Sequence, residues 1–76
     1  MLGTILVHCL SGRFKEVLPE IKKVDGVVDA FGTLGRWDIV VKVDVGNLQD
    51  MDKLTFAVKS IKGVKDVETL MAKTVR

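Results

Sequence analysis

The chain has 76 residues, of which 47% are hydrophobic, 29% charged and 5% aromatic, and it carries a formal net charge of +2. That length leads us to expect one domain over residues 1–76, with no second module behind a linker. Acids and bases interleave without a basic block, and Phe14, Phe31, Trp37 and Phe56 make no basic, aromatic sheet face, so direct nucleic-acid binding is not expected.

A domain of this size buries only about 60% of the surface that its unfolded chain exposes, and small domains commonly add disulfides, metals or partner chains. Cys9 is the only cysteine, which closes the disulfide route and suits a reducing compartment. Self-association is therefore the expected support. The apolar N-terminal stretch is short, lacks a preceding basic region and leads into no small-residue cleavage site. It reads as a strand rather than a signal peptide or membrane span, and the expected location is cytoplasmic.

Residues 2–10 are rich in β-formers and apolar at nearly every position, the pattern of a strand covered on both faces. Ser11 and Gly12 break it. Phe14, Val17, Leu18, Ile21 and Val24 then fall on one helical face, with Lys15, Glu16, Glu20, Lys22 and Lys23 opposite. Pro19 removes a backbone donor inside that segment, so the helix is expected to start late, near Lys15, or to bend at Pro19. Gly26 is the expected C-cap.

Residues 27–34 read as a second strand and 37–45 as a third, leaving Gly35 and Arg36 for a tight two-residue hairpin. In the third strand Trp37, Ile39, Val41, Val43 and Val45 form one apolar face. Asn47 is the expected N-cap of a second helix, with Asp50 in its first turn. Leu48, Met51, Leu54, Val58 and Ile61 carry its apolar stripe towards Gly63, a second expected C-cap, and residues 64–75 close the chain as a fourth strand.

The segment 22–30 aligns with 59–67, so each half runs strand, helix, Gly-Val, strand. Two such halves give an α+β, ferredoxin-like βαββαβ fold: a four-stranded antiparallel sheet with both helices on one face. The other face would be apolar and bare, and a partner sheet packed against it would form a dimeric α/β barrel.

Residues 35–43, beginning Gly35-Arg36-Trp37-Asp38-Ile39, resemble the glycine, aromatic, aspartate, apolar-run signature of the Lrp/AsnC-type ligand-binding domain. Gly26 and Val27 before it, the helix from Asn47 to Lys62 and the closing run from Gly63 and Val64 to Thr69 match the rest of that unit in order. The resemblance covers essentially the whole chain. Full-length members begin with a helix-turn-helix DNA-binding domain, for which this chain has no residues, so it resembles the stand-alone form. Thr often precedes the hairpin glycine in that family, where this sequence has Leu34; Thr33 lies one place earlier, on the opposite face of a regular strand.

The resemblance implies a homodimer formed through the sheets and assembled further into a ring of dimers, an octamer being one such form. It also implies an amino acid or related effector bound near the hairpin, transcriptional regulation of amino-acid metabolism, and mixing with full-length regulators that carry the same domain. Matched residue by residue, the resemblance points to Gly35, Asp38 and Thr69 as ligand-binding positions, and the chemistry of the loop adds Leu34 and Arg36. Chemically, Asp38 offers an acceptor for an α-ammonium, and the amides around residues 34–36 offer donors to an α-carboxylate, because glycine lets the turn aim them outward. Gly35 equally suits any two-residue hairpin, Asp38 a strand ion pair with Lys42 or Arg36, and Thr69 an ordinary strand position.

His8 and Cys9 are adjacent on a strand and point to opposite faces, so they do not chelate one ion together. With no second His or Cys and no phosphate-binding glycine loop, neither metal, cofactor nor enzymatic activity is expected. Two alternatives remain. One is a small dimeric α/β-barrel enzyme using His8 in the cavity between sheet and helices; the other is a purely structural assembly module.

Overall fold

The protein is represented by a computed structural model that describes residues 1–71. Its elements are β1 (Leu2–Cys9), α1 (Phe14–Lys22), β2 (Val27–Gly32), β3 (Ile39–Asp44), α2 (Leu48–Lys59) and β4 (Val64–Met71). The four strands form one sheet in the order β2-β3-β1-β4, with every neighbouring pair antiparallel. This is the ferredoxin-like βαββαβ fold that the repeated halves imply. The expected continuation of the last strand to Val75 lies outside the described residues.

Period-two alternation sorts the strands into two faces. Ile5, Val7 and Cys9 of β1 and Ile39, Val41 and Val43 of β3 point one way and are buried. Against them pack Val17 and Ile21 of α1 and Met51, Leu54 and Val58 of α2, so both helices share one face and one core.

α1 begins at Phe14 and runs through Pro19. The missing proline donor leaves the Lys15 carbonyl without its helical partner, and both residues sit on the exposed side of the helix, where water is available. The helix therefore starts one residue earlier than Lys15. α2 has the expected cap: the Asn47 side chain accepts from the Asp50 amide at 2.8 Å.

The two halves leave their helices in the same way. Lys23 and Ser60 are the capping residues, and each is followed by a turn closed by a backbone bond, Val27 N–H to Val24 O at 3.2 Å and Val64 N–H to Ile61 O at 3.1 Å. Gly26 (φ +95°) and Gly63 (φ +99°) serve these turns rather than the caps assigned to them from sequence. Gly63 has a second reason to be glycine: a Cβ there would lie 2.9 Å from Val17 Cγ2 and 3.0 Å from Arg13 Cβ, where the second half's turn meets the first half's helix.

Among the described residues, nothing covers the opposite sheet face. Leu6 lies beside Val40, Val40 beside Phe31, and Thr4 beside Leu70, with Leu2 at the end of the same row. Leu2 (63%), Val28 (67%), Phe31 (41%) and Leu70 (49%) are substantially exposed. Among the described residues, no helix is long and apolar enough to cross a membrane.

Candidate functional site: the loop between β2 and β3

The β2–β3 ladder ends at the Gly32–Ile39 pair, earlier than a two-residue hairpin requires. Beyond it, the Thr33 amide donates to Asp38 O at 2.9 Å, and the Thr33 hydroxyl donates to Trp37 O at 2.6 Å. These two bonds close a loop of residues 34–37, so the tight hairpin is replaced by a wider tip. Leu34, Gly35 and Arg36 are all exposed, Leu34 completely. Gly35 takes φ +123° with open space around its Cβ position, so the backbone conformation alone favours glycine. Among the described residues, the amides of residues 34–36 donate none of the backbone hydrogen bonds. They form an exposed group of donors at the tip.

Asp38 stands at the base of this loop and ties it to β1. Its amide donates to Val7 O at 2.9 Å, and its Oδ2 accepts the Cys9 amide at 2.7 Å. Cys9 lies at an irregularity in the β1–β4 register, and at the point where β3 begins it is the aspartate side chain that satisfies this N–H. His8 Nε2 lies 3.8 Å from the same Oδ2, and the His8 ring meets Trp37 edge-on at 6.2 Å between centroids. Asp38 Oδ1 is the carboxylate oxygen left over. The site thus combines a half-exposed carboxylate, a run of unbonded amides, and an open cleft of about 420 Å³ lined by Phe14, Gly32, Thr33, Leu34 and Asp38.

Sequence reasoning names four positions here, Leu34, Gly35, Arg36 and Asp38, and the fold brings them together. Thr69 is elsewhere in the chain. It pairs with buried Ile5, and its hydroxyl lies 3.1 Å from that of Thr55 on α2, so it faces the helices. Phe14 and Gly32 were missed. Their meeting depends on α1 crossing β2, and no local pattern announces it.

Cys9 points into the core and His8 to the bare face, as strand alternation requires. Burial, and then the Asp38 charge, push the Cys9 thiol above its ordinary pKa, which favours the protonated form. His8 lies outside the cavity between sheet and helices, which removes the residue on which the enzymatic alternative depended. Among the described residues, no three His, Cys, Asp or Glu side chains converge on a point that would hold a metal.

The fold and sequence have relatives. The chain is 31% identical over 71 residues, 93% of its length, to the HTH-type transcriptional regulator FL11 of Pyrococcus horikoshii. It spans about half the length of the curated relatives it matches, 47% in this case. Among solved structures, TTHA0845 from Thermus thermophilus superposes with a TM-score of 0.90 at 22% identity, covering 99% of this chain and 95% of that one. The transcriptional regulator NMB0573 of Neisseria meningitidis, solved as a complex with L-Met, superposes at 0.81 with 16% identity, covering 99% of this chain and 51% of that one. The sequence profile of the Lrp/AsnC ligand-binding domain matches residues 3–74, and the chain belongs to that family.

Proposed function

We propose that the chain binds a free amino acid or a closely related effector at the β2–β3 loop, self-associates through its bare sheet face, and modulates transcription of amino-acid metabolism through that assembly. The observation that carries the ligand reading is a single short loop whose amides at residues 34–36 donate no backbone bond among the described residues and whose base carries the Asp38 carboxylate, bonded through Oδ2 alone. An α-amino acid presents an ammonium and a carboxylate on one carbon. Asp38 Oδ1 accepts from the ammonium, and the loop amides donate to the carboxylate. The regulators among the relatives, one of them solved with L-Met, make an amino acid the first ligand to try. A neighbouring copy completes the site at the junction between dimers, and Thr69, turned towards α2, stays outside this clamp.

The assembly reading rests on the row of Leu2, Leu6, Phe31, Val40 and Leu70, which a second sheet would cover. Higher oligomers, an octamer among them, and mixed assemblies with longer regulators carrying the same domain extend the same idea.

The test is a thermal-shift screen of the purified protein and its Asp38→Asn variant against the common amino acids. Asparagine keeps an acceptor for the Cys9 amide and removes the charge. A ligand at about a hundred times its dissociation constant stabilises the folded state by about 2.7 kcal/mol, a shift readily measured in a domain this small. We expect one or a few amino acids to raise Tm in the wild type, and the variant to lose that rise while its own Tm stays close to wild type. No rise with any amino acid sinks the ligand reading; an undiminished rise in the variant removes Asp38 from the clamp.

A further inference from the structure

We infer that the effector is an amino acid with an apolar side chain, selected by a wall that Phe14 and Leu34 build beside the polar clamp. This rests on the reading of the β2–β3 loop as the effector site and narrows the ligand class that the site accepts.

Asp38 and Leu34, which belong to the clamp, both line the open cleft, so clamp and cleft adjoin. A ligand held by its ammonium and carboxylate has its side chain directed either to water or into this space. Among the described residues, the cleft lining holds no lysine, arginine or side-chain amide. Its only hydroxyl, on Thr33, is already donating to Trp37 O at 2.6 Å. Its large surfaces are Phe14, 37% exposed, and the Leu34 side chain, which no described residue covers. A ligand carboxylate placed there is repelled by Asp38, and an ammonium or amide has only Asp38, already engaged by the α-ammonium, and the Thr33 hydroxyl oxygen to donate to. An aliphatic, thioether or aromatic side chain instead covers apolar surface that otherwise faces water.

Gly32 keeps the cleft open. A Cβ at that position would overlap the Phe14 ring, lying 2.8 Å from Cε2, so the absence of a side chain lets the ring lie against β2. The ring is at the half-exposed start of α1 and has room to swing, so an alanine at Gly32 displaces the wall without disturbing the core.

The experiment is calorimetric titration of matched pairs, Leu against Asn and Met against Gln, into wild type, Phe14→Ala, Leu34→Ser and Gly32→Ala. We expect wild type to bind the apolar member at least tenfold more tightly, and each variant to shrink that ratio. Leu34→Ser keeps the test sound if Phe14→Ala fails to fold, because Leu34 contributes nothing to the core. Asn or Gln binding as tightly as Leu or Met overturns the apolar assignment and leaves the effector site standing. An apolar preference that survives unchanged in Leu34→Ser and Gly32→Ala places the selecting wall elsewhere and also overturns it. No binding by either member of any pair overturns the effector reading itself, and this inference with it.

Discussion

Asp38 shows how one side chain takes on work that a strand pattern does not reveal. In the sequence it is a polar residue before an apolar run; in the fold its Oδ2 receives the Cys9 amide at 2.7 Å and stands 3.8 Å from His8. The charge also acts on the thiol beside it. Burial disfavours the Cys9 thiolate first, and the Asp38 carboxylate adds like-charge repulsion. The folded state therefore holds the thiol proton more tightly than the unfolded chain does. That contribution is fully present below the unfolded thiol pKa, about 8.5, and is lost as pH rises through the higher folded value. Thermal melts at neutral pH and near pH 10 should show wild type losing more stability than Cys9→Ala over that interval, the other titrations being common to both. Equal losses would take the thiol out of the account.

At the scale of elements, what the sequence makes legible is what periodicity and local chemistry specify. β1, the α1 stripe of Val17 and Ile21, the α2 stripe of Met51, Leu54 and Val58, and the matched helix exits are all readable because each is a repeat over neighbouring residues. The β2–β3 connection is not. Residues 33, 34 and 37 are good strand formers, so the pattern extends both strands to a two-residue turn. The Thr33 hydroxyl and the Asp38 carboxylate instead close the loop and pin it to β1, and bonds between side chains and distant backbone leave no periodic trace. Phe14 on Gly32 is hidden for the same reason. The Asn47 cap belongs to the legible class, and its worth is measurable. Asn47→Ala removes the acceptor for the Asp50 amide and should cost about 1 kcal/mol, lowering Tm by roughly 4–8 °C in a domain this small. Gln49→Ala, exposed on the same turn, should leave the melt almost unchanged. A wild-type Tm for Asn47→Ala would mean that packing of the α2 stripe alone sets the helix start.

For the whole molecule the governing fact is that one sheet carries large apolar residues on both faces and the chain's own helices cover only one. β1 states this most clearly: Ile5 and Val7 are fully buried, while Leu6 between them looks out at Val40 and Glu68. A chain of 76 residues has little core to spare, so the proposed second copy over Leu6, Phe31, Val40 and Leu70 would supply stability as well as quaternary structure. Folding and assembly are then coupled, and an effector bound where copies meet acts on both. Leu6→Glu, which leaves every core residue in place, should convert the assembly to monomers in native mass spectrometry and lower Tm. Wild-type melting should also depend on protein concentration, and that dependence should vanish in the variant, because only an associating species gains stability by mass action. The substitution sets a carboxylate beside Glu68 within the chain and buries it against a partner, so it opposes face-to-face association from both directions. If Leu6→Glu retains the wild-type mass and its concentration dependence, the copies meet elsewhere, and the bare face must owe its apolar character to something other than a second copy.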